Sequence, residues 1–325
     1  MTTEELIGTE NAIDIAEHLK TPPTKALQKL QPDRSLLYHQ YTREPEGQLV
    51  ATADVLPDDF GSDSVDIEIP PYAFKPDQWS RAFLRGLAKL DVSGKKCLEI
   101  GVGTGINVIY LLAKSPDSIA ISDKEGRCVP LACRNIRRHC RESQNLAKVL
   151  PYGGSLDLAS WLPFAEDGNF DIIYGCLPQV ILPKDKQIYE GDALAHYYER
   201  ERYASDLGIY GLALNDILLQ QVRPHLKPGG SVVLNLGGRP GQKTLEELFR
   251  KNGLRPSILH QEIIAQHAET SLSSLATLEV ASGRQFEFFA DQEAKQPLNA
   301  EQAETRRQNR LPVFHRIYVY QGQIS

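Results

Sequence analysis

The stretch KCLEIGVGTGINVIYLLA, residues 96–113, constrains the fold more than any other part of the chain. It starts with an apolar run up to Ile100 and ends with apolar residues at helical spacing, which predicts a strand followed by a helix. Between them lie three alternating glycines, Gly101, Gly103 and Gly105. A tight turn with a ligand close to its backbone needs glycine, because a Cβ would clash there. The stretch therefore predicts a strand–turn–helix unit with a ligand at the turn.

Two classes of ligand compete for this turn. A dinucleotide site has the pattern GxGxxG, with pyrophosphate at the helix N-terminus, whereas here the third glycine stands one position early. Glu99 directly precedes the turn, and its carboxylate would repel a pyrophosphate but suits a cationic or zwitterionic ligand. The pattern resembles motif I, (D/E)xGxGxG, of class I S-adenosylmethionine-dependent methyltransferases. The resemblance implies that Glu99, Gly101, Gly103 and Gly105 bind S-adenosylmethionine; a dehydrogenase and a turn without a ligand are the alternatives.

The order of elements predicts an α/β fold. Together with motif I it resembles the class I methyltransferase Rossmann-like sheet, which is mostly parallel with an antiparallel last strand and has helices on both faces. The predicted strands are residues 65–69, 96–100, 118–122, 148–152, 170–175, 231–235, 257–265 and 313–320. We expect a methyltransferase domain over 71–325, with insertions near 183–210 and 266–312. Residues 1–70 are expected to form a helical and irregular addition, either a lid over the substrate or a structural cover.

Ligands of such sheets bind beyond the carboxyl ends of the strands, so residues that follow strands are the candidates. Asp123 ends the second strand and is expected to accept hydrogen bonds from ribose hydroxyls; a helix N-cap is the alternative. By resemblance, Asp157 would accept from the adenine amino group, with Leu158 against the ring. Three residues that follow the fourth strand are expected to face the transferred methyl group: Cys176 as a cofactor contact, and Pro178 and Gln179 as catalytic residues.

Four further residues are candidates for substrate contacts. Trp79 precedes the glycine motif and could face a sulfonium by cation–π contact, or could simply anchor the core. Tyr210, assigned a catalytic role, belongs to a tyrosine-rich stretch that could cap the substrate or merely pack. Asn235 ends the predicted fifth strand. Arg239 follows it in a glycine-rich loop and is expected to bind a substrate carboxylate in a fork, unless it is a surface residue of a turn.

Three segments resemble the methyltransferase domain of methionine S-methyltransferases: GCLPQ (175–179), NLGGRPGQ (235–242) and RQFEFFAD (284–291). The resemblance runs from about Ile69 to Tyr320. It implies methylation of free L-methionine to S-methylmethionine, with S-adenosylhomocysteine as the other product. A thioether has no proton to lose, so the reaction needs no general base. The (N/D)PP(Y/F) signature of amide and exocyclic-amine methyltransferases is missing. Another small thioether, selenoether or amine is the alternative substrate, and a non-catalytic S-adenosylmethionine-binding protein is the alternative class.

Composition limits the partners. The formal net charge of −6 disfavours non-specific nucleic-acid binding, and no apolar run approaches the 18 residues of a membrane span. The five cysteines include no CxxC pair, which favours reduced core thiols over a metal site. With an acidic start that lacks an apolar signal segment, the sequence predicts a cytoplasmic protein. A small molecule is the expected partner, with no nucleic acid and no membrane, and homo-oligomer formation is left open.

Overall fold

A computed structural model describes residues 50–53, 55–60, 64–140, 148–151, 170–179, 207–268 and 270–324. The chain divides into two units, Met1–Gln40 and Tyr41–Ser325, and every described residue lies in the second. The helices predicted before residue 40 and most of the 183–210 insertion lie outside the described residues. The boundary predicted at residue 70 stays a prediction.

The described elements alternate between strands and helices in the order that an α/β sheet requires. The strands are β1 (Val50–Ala53), β2 (Val65–Glu68), β3 (Lys96–Ile100), β4 (Ser118–Ser122), β5 (Val149–Pro151), β6 (Phe170–Gly175), β7 (Leu226–Gly237), β8 (Leu254–Ala265), β9 (Phe288–Phe289), β10 (Pro297–Leu298) and β11 (Phe314–Ile324). The α-helices are α1 (Gln78–Leu87), α2 (Ile106–Leu112), α3 (Cys128–His139), α4 (Ala213–Val222), α5 (Gln242–Lys251), α6 (Ser273–Ser282) and α7 (Ala300–Gln308). None of these helices has the length and apolar character needed to cross a bilayer.

The main sheet has the predicted architecture. Strands β5, β4, β3, β6 and β7 lie side by side and pair in parallel. The last strand, β11, is antiparallel and pairs with β7 on one side and β8 on the other. A separate hairpin joins β1 to β2, although the sequence analysis predicts no strand before Val65. The class I methyltransferase fold predicted from the sequence is confirmed.

Helices cover both faces of the sheet. Neighbouring residues of a strand point to opposite faces, so each strand contributes side chains to the packing on both sides. On β11, Tyr318 and Tyr320 join an apolar core with the buried residues of α4 and α5. Ile317 points to the other face and packs with Ala82 of α1. Helix α1 lies so close to the sheet that a Cβ on Gly86 would meet Val319 Cγ1 at 2.4 Å. Within the described residues, the central strands of the sheet are therefore buried on both faces, which leaves the edge of the sheet for ligands.

From the sequence, we expect a helix that follows Asp77 and runs to Leu90, with Pro76 in its first turn, and the observed α1 differs slightly. Asp77 is the N-cap and accepts hydrogen bonds from the backbone N–H groups of Trp79 and Ser80, while Ser80 completes the capping box. Pro76 therefore precedes the cap instead of lying in the first turn. The helix ends at Leu87, not at the predicted Leu90. The cap fixes the position of Trp79 in the first turn of the helix.

Candidate functional site

The glycine turn between β3 and α2 has the backbone that its sequence requires. Gly101, Gly103 and Gly105 have φ values of 76°, 52° and 81°, a region that other residues rarely adopt. A Cβ on Gly105 would lie 3.0 Å from Ala132 Cβ, so this glycine lets α3 pack against the turn. A Cβ on Gly103 would meet no protein atom within 4 Å. Gly103 thus leaves open the space into which a ligand can approach the backbone.

Asp123 lies beside this turn at the end of β4, as predicted. Its Oδ2 accepts the Gly103 N–H at 2.9 Å and its Oδ1 accepts the Glu125 N–H at 2.9 Å. The side chain is buried, with 6% exposed. The carboxylate therefore fixes the turn that it borders, and the ribose contact stays a prediction.

Glu99 is fully buried at the end of β3. Its Oε1 accepts a hydrogen bond from Asn107 Nδ2 at 2.7 Å. Burial raises the pKa of the carboxyl to about 8, aided by the nearby Asp123 charge and opposed by hydrogen bonding to Asn107 and Tyr174. An uncharged Glu99 is thus favoured near neutral pH, and a cation at the turn would favour its ionisation.

A network that the sequence analysis missed supports the turn from behind. Asn135 of α3 donates through Nδ2 to Thr104 O at 3.0 Å and to Glu68 O at 3.1 Å, and accepts the Glu68 N–H at 2.7 Å. The Glu68 carboxylate forms ion pairs with Arg134 and Arg138 at 3.0 Å and 3.3 Å. The hairpin β1–β2 is thereby tied to the glycine turn.

A second group of predicted residues meets where β6 and β7 end. Asn235 donates through Nδ2 to Trp79 O at 2.9 Å and to Cys176 Sγ at 3.3 Å. Its Oδ1 is buried and accepts no hydrogen bond from any described residue. Burial raises the pKa of the Cys176 thiol to about 12, so the group is a neutral thiol. Strand β7 runs on to Gly237, so Asn235 lies inside the strand and not at its end.

Gln179 holds the end of β7. Its Oε1 accepts the Gly237 N–H at 2.8 Å and its Nε2 donates to Gly237 O at 3.1 Å. The carboxamide is therefore occupied by backbone groups, an arrangement that positions the strand. A Cβ on Gly237 would lie 2.7 Å from Trp79 Cη2, so the indole covers this glycine. Pro178 is partly buried in the same loop.

Arg239 follows this strand end and is partly buried. Its Nη2 donates to Gln179 O at 3.4 Å, and no carboxylate among the described residues pairs with it. Burial lowers the pKa of the guanidinium to about 10. A partly buried cation without a carboxylate is costly, and an anionic ligand would relieve that cost.

The structure does not bring every predicted residue into these two groups. Tyr210 lies in a 3₁₀ turn, with its ring centroid 5.7 Å from that of Phe286 and 5.3 Å from the Arg284 guanidinium. These contacts join it to the core of the 266–312 addition, and its catalytic role stays a prediction. Asp157 and Leu158, the predicted adenine contacts, lie outside the described residues.

His315 is a residue of this edge that the sequence analysis did not single out. It stands near the start of β11, and its ring centroid is 5.7 Å from that of Trp79. It is buried, with 2% exposed. Two predictions together could have located His315: the last strand is antiparallel, and ligands bind where the parallel strands end. An antiparallel last strand must begin at that same edge.

Comparison with known proteins supports the same family as the sequence motifs. No protein-family model matches the chain. The chain is 30% identical to a methionine S-methyltransferase of Zea mays over 274 residues, 78% of this chain and 25% of that protein. The corresponding protein of Arabidopsis thaliana is 28% identical over 279 residues, 78% of this chain and 26% of that protein. The chain spans about a quarter of the length of these curated relatives. The resemblance predicted from the sequence is confirmed.

Two more distant matches carry methyltransferase names. A release factor glutamine methyltransferase of Salmonella typhimurium is 25% identical over 170 residues, 52% of this chain and 56% of that protein. A solved putative methyltransferase of Bacillus halodurans is 10% identical, with a TM-score of 0.45 over 74% of this chain and 97% of that chain.

Proposed function

We propose that this chain, similar over most of its length to methionine S-methyltransferases, transfers a methyl group from S-adenosylmethionine to the sulfur of free L-methionine. The products are S-methylmethionine and S-adenosylhomocysteine. The observation that carries the proposal is the similarity to the plant enzymes over 78% of the chain. Among the described residues, Arg239 is a partly buried cation that pairs with no carboxylate, and the same edge of the sheet carries the Trp79 indole and the unsatisfied Asn235 Oδ1, which supports an amino acid as the acceptor.

The residues of the turn fit the cofactor. The open space over Gly103 and the buried carboxyl of Glu99 suit a ligand that carries a positive charge close to the backbone. Bound S-adenosylmethionine would supply a methyl group already activated by a positively charged sulfur. In this proposal Asp123 holds the turn and faces the ribose, and Asp157, Leu158 and Cys176 complete the cofactor site.

The chain's own part in the reaction is alignment without a general base. Trp79, Asn235 and Arg239 bind the acceptor, while Pro178, Gln179 and Tyr210 border the reacting atoms and exclude water. The buried thiol of Cys176 and the buried imidazole of His315 are poor bases, because burial raises the pKa of the first and lowers the pKa of the second. A thioether, which loses no proton, fits such an edge better than an amine does.

The remaining partner and location predictions stand as proposals. We expect no nucleic-acid or membrane partner, and homo-oligomer formation stays open. A cytoplasmic location is supported by the five cysteines, all unpaired in the structure.

The direct test incubates the purified chain with methyl-labelled S-adenosylmethionine and a panel of acceptors, with mass detection of the products. We expect label in S-methylmethionine. Transfer to an amine or selenoether alone would favour the alternative substrates. Cofactor binding by calorimetry without transfer to any acceptor would favour the non-catalytic alternative.

A second expected result concerns Glu99. Its carboxyl is protonated at pH 7, because its pKa is about 8, and a cationic cofactor beside it would lower that pKa. Binding of S-adenosylmethionine near pH 7 should therefore release close to one proton per site. Calorimetry in buffers of different ionisation enthalpy measures this release. Glu99→Gln should abolish it, whereas the exposed control Asp117→Asn should not; equal heats in all buffers for the parent would contradict the assignment.

The same carboxyl should affect stability. The folded-state pKa of Glu99 is raised from 4.5 to about 8, so its contribution to stability is complete below pH 4.5 and is lost as the pH rises through 8. Without ligand, Glu99→Gln should remove this part of the pH dependence of the free energy of unfolding.

A further inference from the structure

His315 is a buried imidazole that has no hydrogen-bond partner in the part of the chain that the structure describes. Both ring nitrogens, Nδ1 and Nε2, are shielded from solvent and unbonded. Buried polar atoms are nearly always paired in folded proteins, and leaving one unpaired destabilises the fold. An unsatisfied donor and acceptor on one side chain, at the edge of the sheet where ligands bind, point to a polar group supplied by a ligand.

The residues around His315 indicate the chemical nature of the ligand group that would bind it. Ile317 of β11 pairs with Gly237 of β7, and the Gly238 N–H donates to Arg316 O at 2.7 Å. Arg239 lies two residues after Gly237, and His315 lies two residues before Ile317. The two residues therefore belong to neighbouring segments of the chain at this edge of the sheet. Burial, aided by the nearby Arg239 charge, lowers the pKa of His315, so the ring is neutral and keeps a lone pair.

Trp79 links this imidazole to the other unsatisfied group of the edge. Its ring packs on His315, and its backbone oxygen accepts from Asn235, whose Oδ1 is unpaired. Among the described residues, this edge of the sheet therefore has one cation, Arg239, that pairs with no carboxylate. It also has two buried hydrogen-bond acceptors, on His315 and Asn235, that receive no hydrogen bond. An α-amino acid carries the complementary pair, a carboxylate and an ammonium group two bonds apart.

We propose that the neutral imidazole of His315 accepts a hydrogen bond from the substrate's α-ammonium group while Arg239 binds the α-carboxylate. This inference rests on the proposed function and narrows it. The acceptor must be a free α-amino acid with both backbone groups unmodified, not a peptide, an ester or a deaminated thioether.

The test compares L-methionine with 4-(methylsulfanyl)butanoate, which keeps the carboxylate and the thioether but lacks the ammonium group. The variant His315→Phe keeps a ring against Trp79 and removes both nitrogens, and His315→Gln restores a donor and an acceptor. His225→Phe, at the start of β7 and so at the opposite edge of the sheet, is the matched control. The measured quantities are kcat/KM for each substrate, methionine affinity by calorimetry and the midpoint of thermal unfolding.

The parent and His225→Phe should prefer methionine by tenfold or more. His315→Phe should lose most of that preference through a higher KM for methionine, while His315→Gln keeps part of it. The unfolding midpoint of His315→Phe should not fall, because the change removes two unsatisfied buried atoms. If His315→Phe does not fold, the comparison is made with His315→Leu.

Three results would overturn the proposal while leaving methionine methylation intact. The preference could be unchanged in His315→Phe, kcat could fall equally for both substrates, or the parent could show no preference at all. Failure of the proposed function itself looks different, since the parent would then transfer no methyl group to methionine. In that case calorimetry still decides, because methionine affinity that is absent in the parent or unchanged in His315→Phe contradicts the role of His315.

Discussion

Replacing Arg239 with alanine is expected to remove most of the chain's preference for methionine over methionine amide. The two substrates share the thioether and the ammonium group and differ in the charge of the carboxyl end. Hydrogen bonds to a charged group contribute about 1.5–3 kcal/mol each, so the ratio of kcat/KM values should fall roughly 10- to 100-fold. The reason lies in the site: Arg239 is partly buried, and its described partner is one backbone oxygen at 3.4 Å.

Two companion variants make this comparison specific. Arg239→Lys keeps the charge but loses the fork that bonds both carboxylate oxygens, so it should recover little of the preference. Arg137→Ala removes an exposed arginine of α3 and should change nothing. If Arg239→Ala discriminates as well as the parent, the carboxylate is bound elsewhere.

The second large effect is expected at Gly103. Gly103→Ala and Gly94→Ala form a matched pair, because both glycines have positive φ, 52° and 65°, and a Cβ on either would meet no atom within 4 Å. Each substitution should cost roughly 1–2 kcal/mol of stability through backbone strain. Only Gly103 lies in the glycine turn, where the added methyl group would occupy the space for the cofactor.

Calorimetric titration with S-adenosylmethionine separates the two contributions. Gly103→Ala should weaken binding more than tenfold, which is about 1.4 kcal/mol, whereas Gly94→Ala should bind like the parent. Thermal unfolding should show similar losses for both variants. Equal affinity in the two variants would mean that the cofactor does not approach the backbone at Gly103.

The features predicted correctly are those with a local signal. The glycine turn and the strand Phe170–Gly175 follow from residue spacing, because alternation and apolar runs depend only on neighbours in the chain. The antiparallel direction of the last strand was implied by the family resemblance. Asp123 could be located for the same reason, since it directly follows an apolar strand. Whether the predicted site residues act as proposed stays a prediction.

What the sequence could not reveal depends on contacts between distant residues. Asn135 bridges Glu68 and Thr104, and nothing in the helix around it signals those partners. The position of Gln179 was predictable, but not that Gly237 occupies its carboxamide. The antiparallel direction of the last strand could have placed His315 at this edge, but its contact with the ring of Trp79 could not be predicted.

Because β11 pairs with both β7 and β8, the sheet cannot be completed until this last strand has been synthesised. The glycine turn and its supporting network use residues 65–138, all of them synthesised well before β11. Strands β7 and β8 emerge before β11, and each exposes an unpaired edge until the last strand arrives. His315 arrives with that strand. These exposed strand edges make the interval before β11 is synthesised the one most open to misassembly.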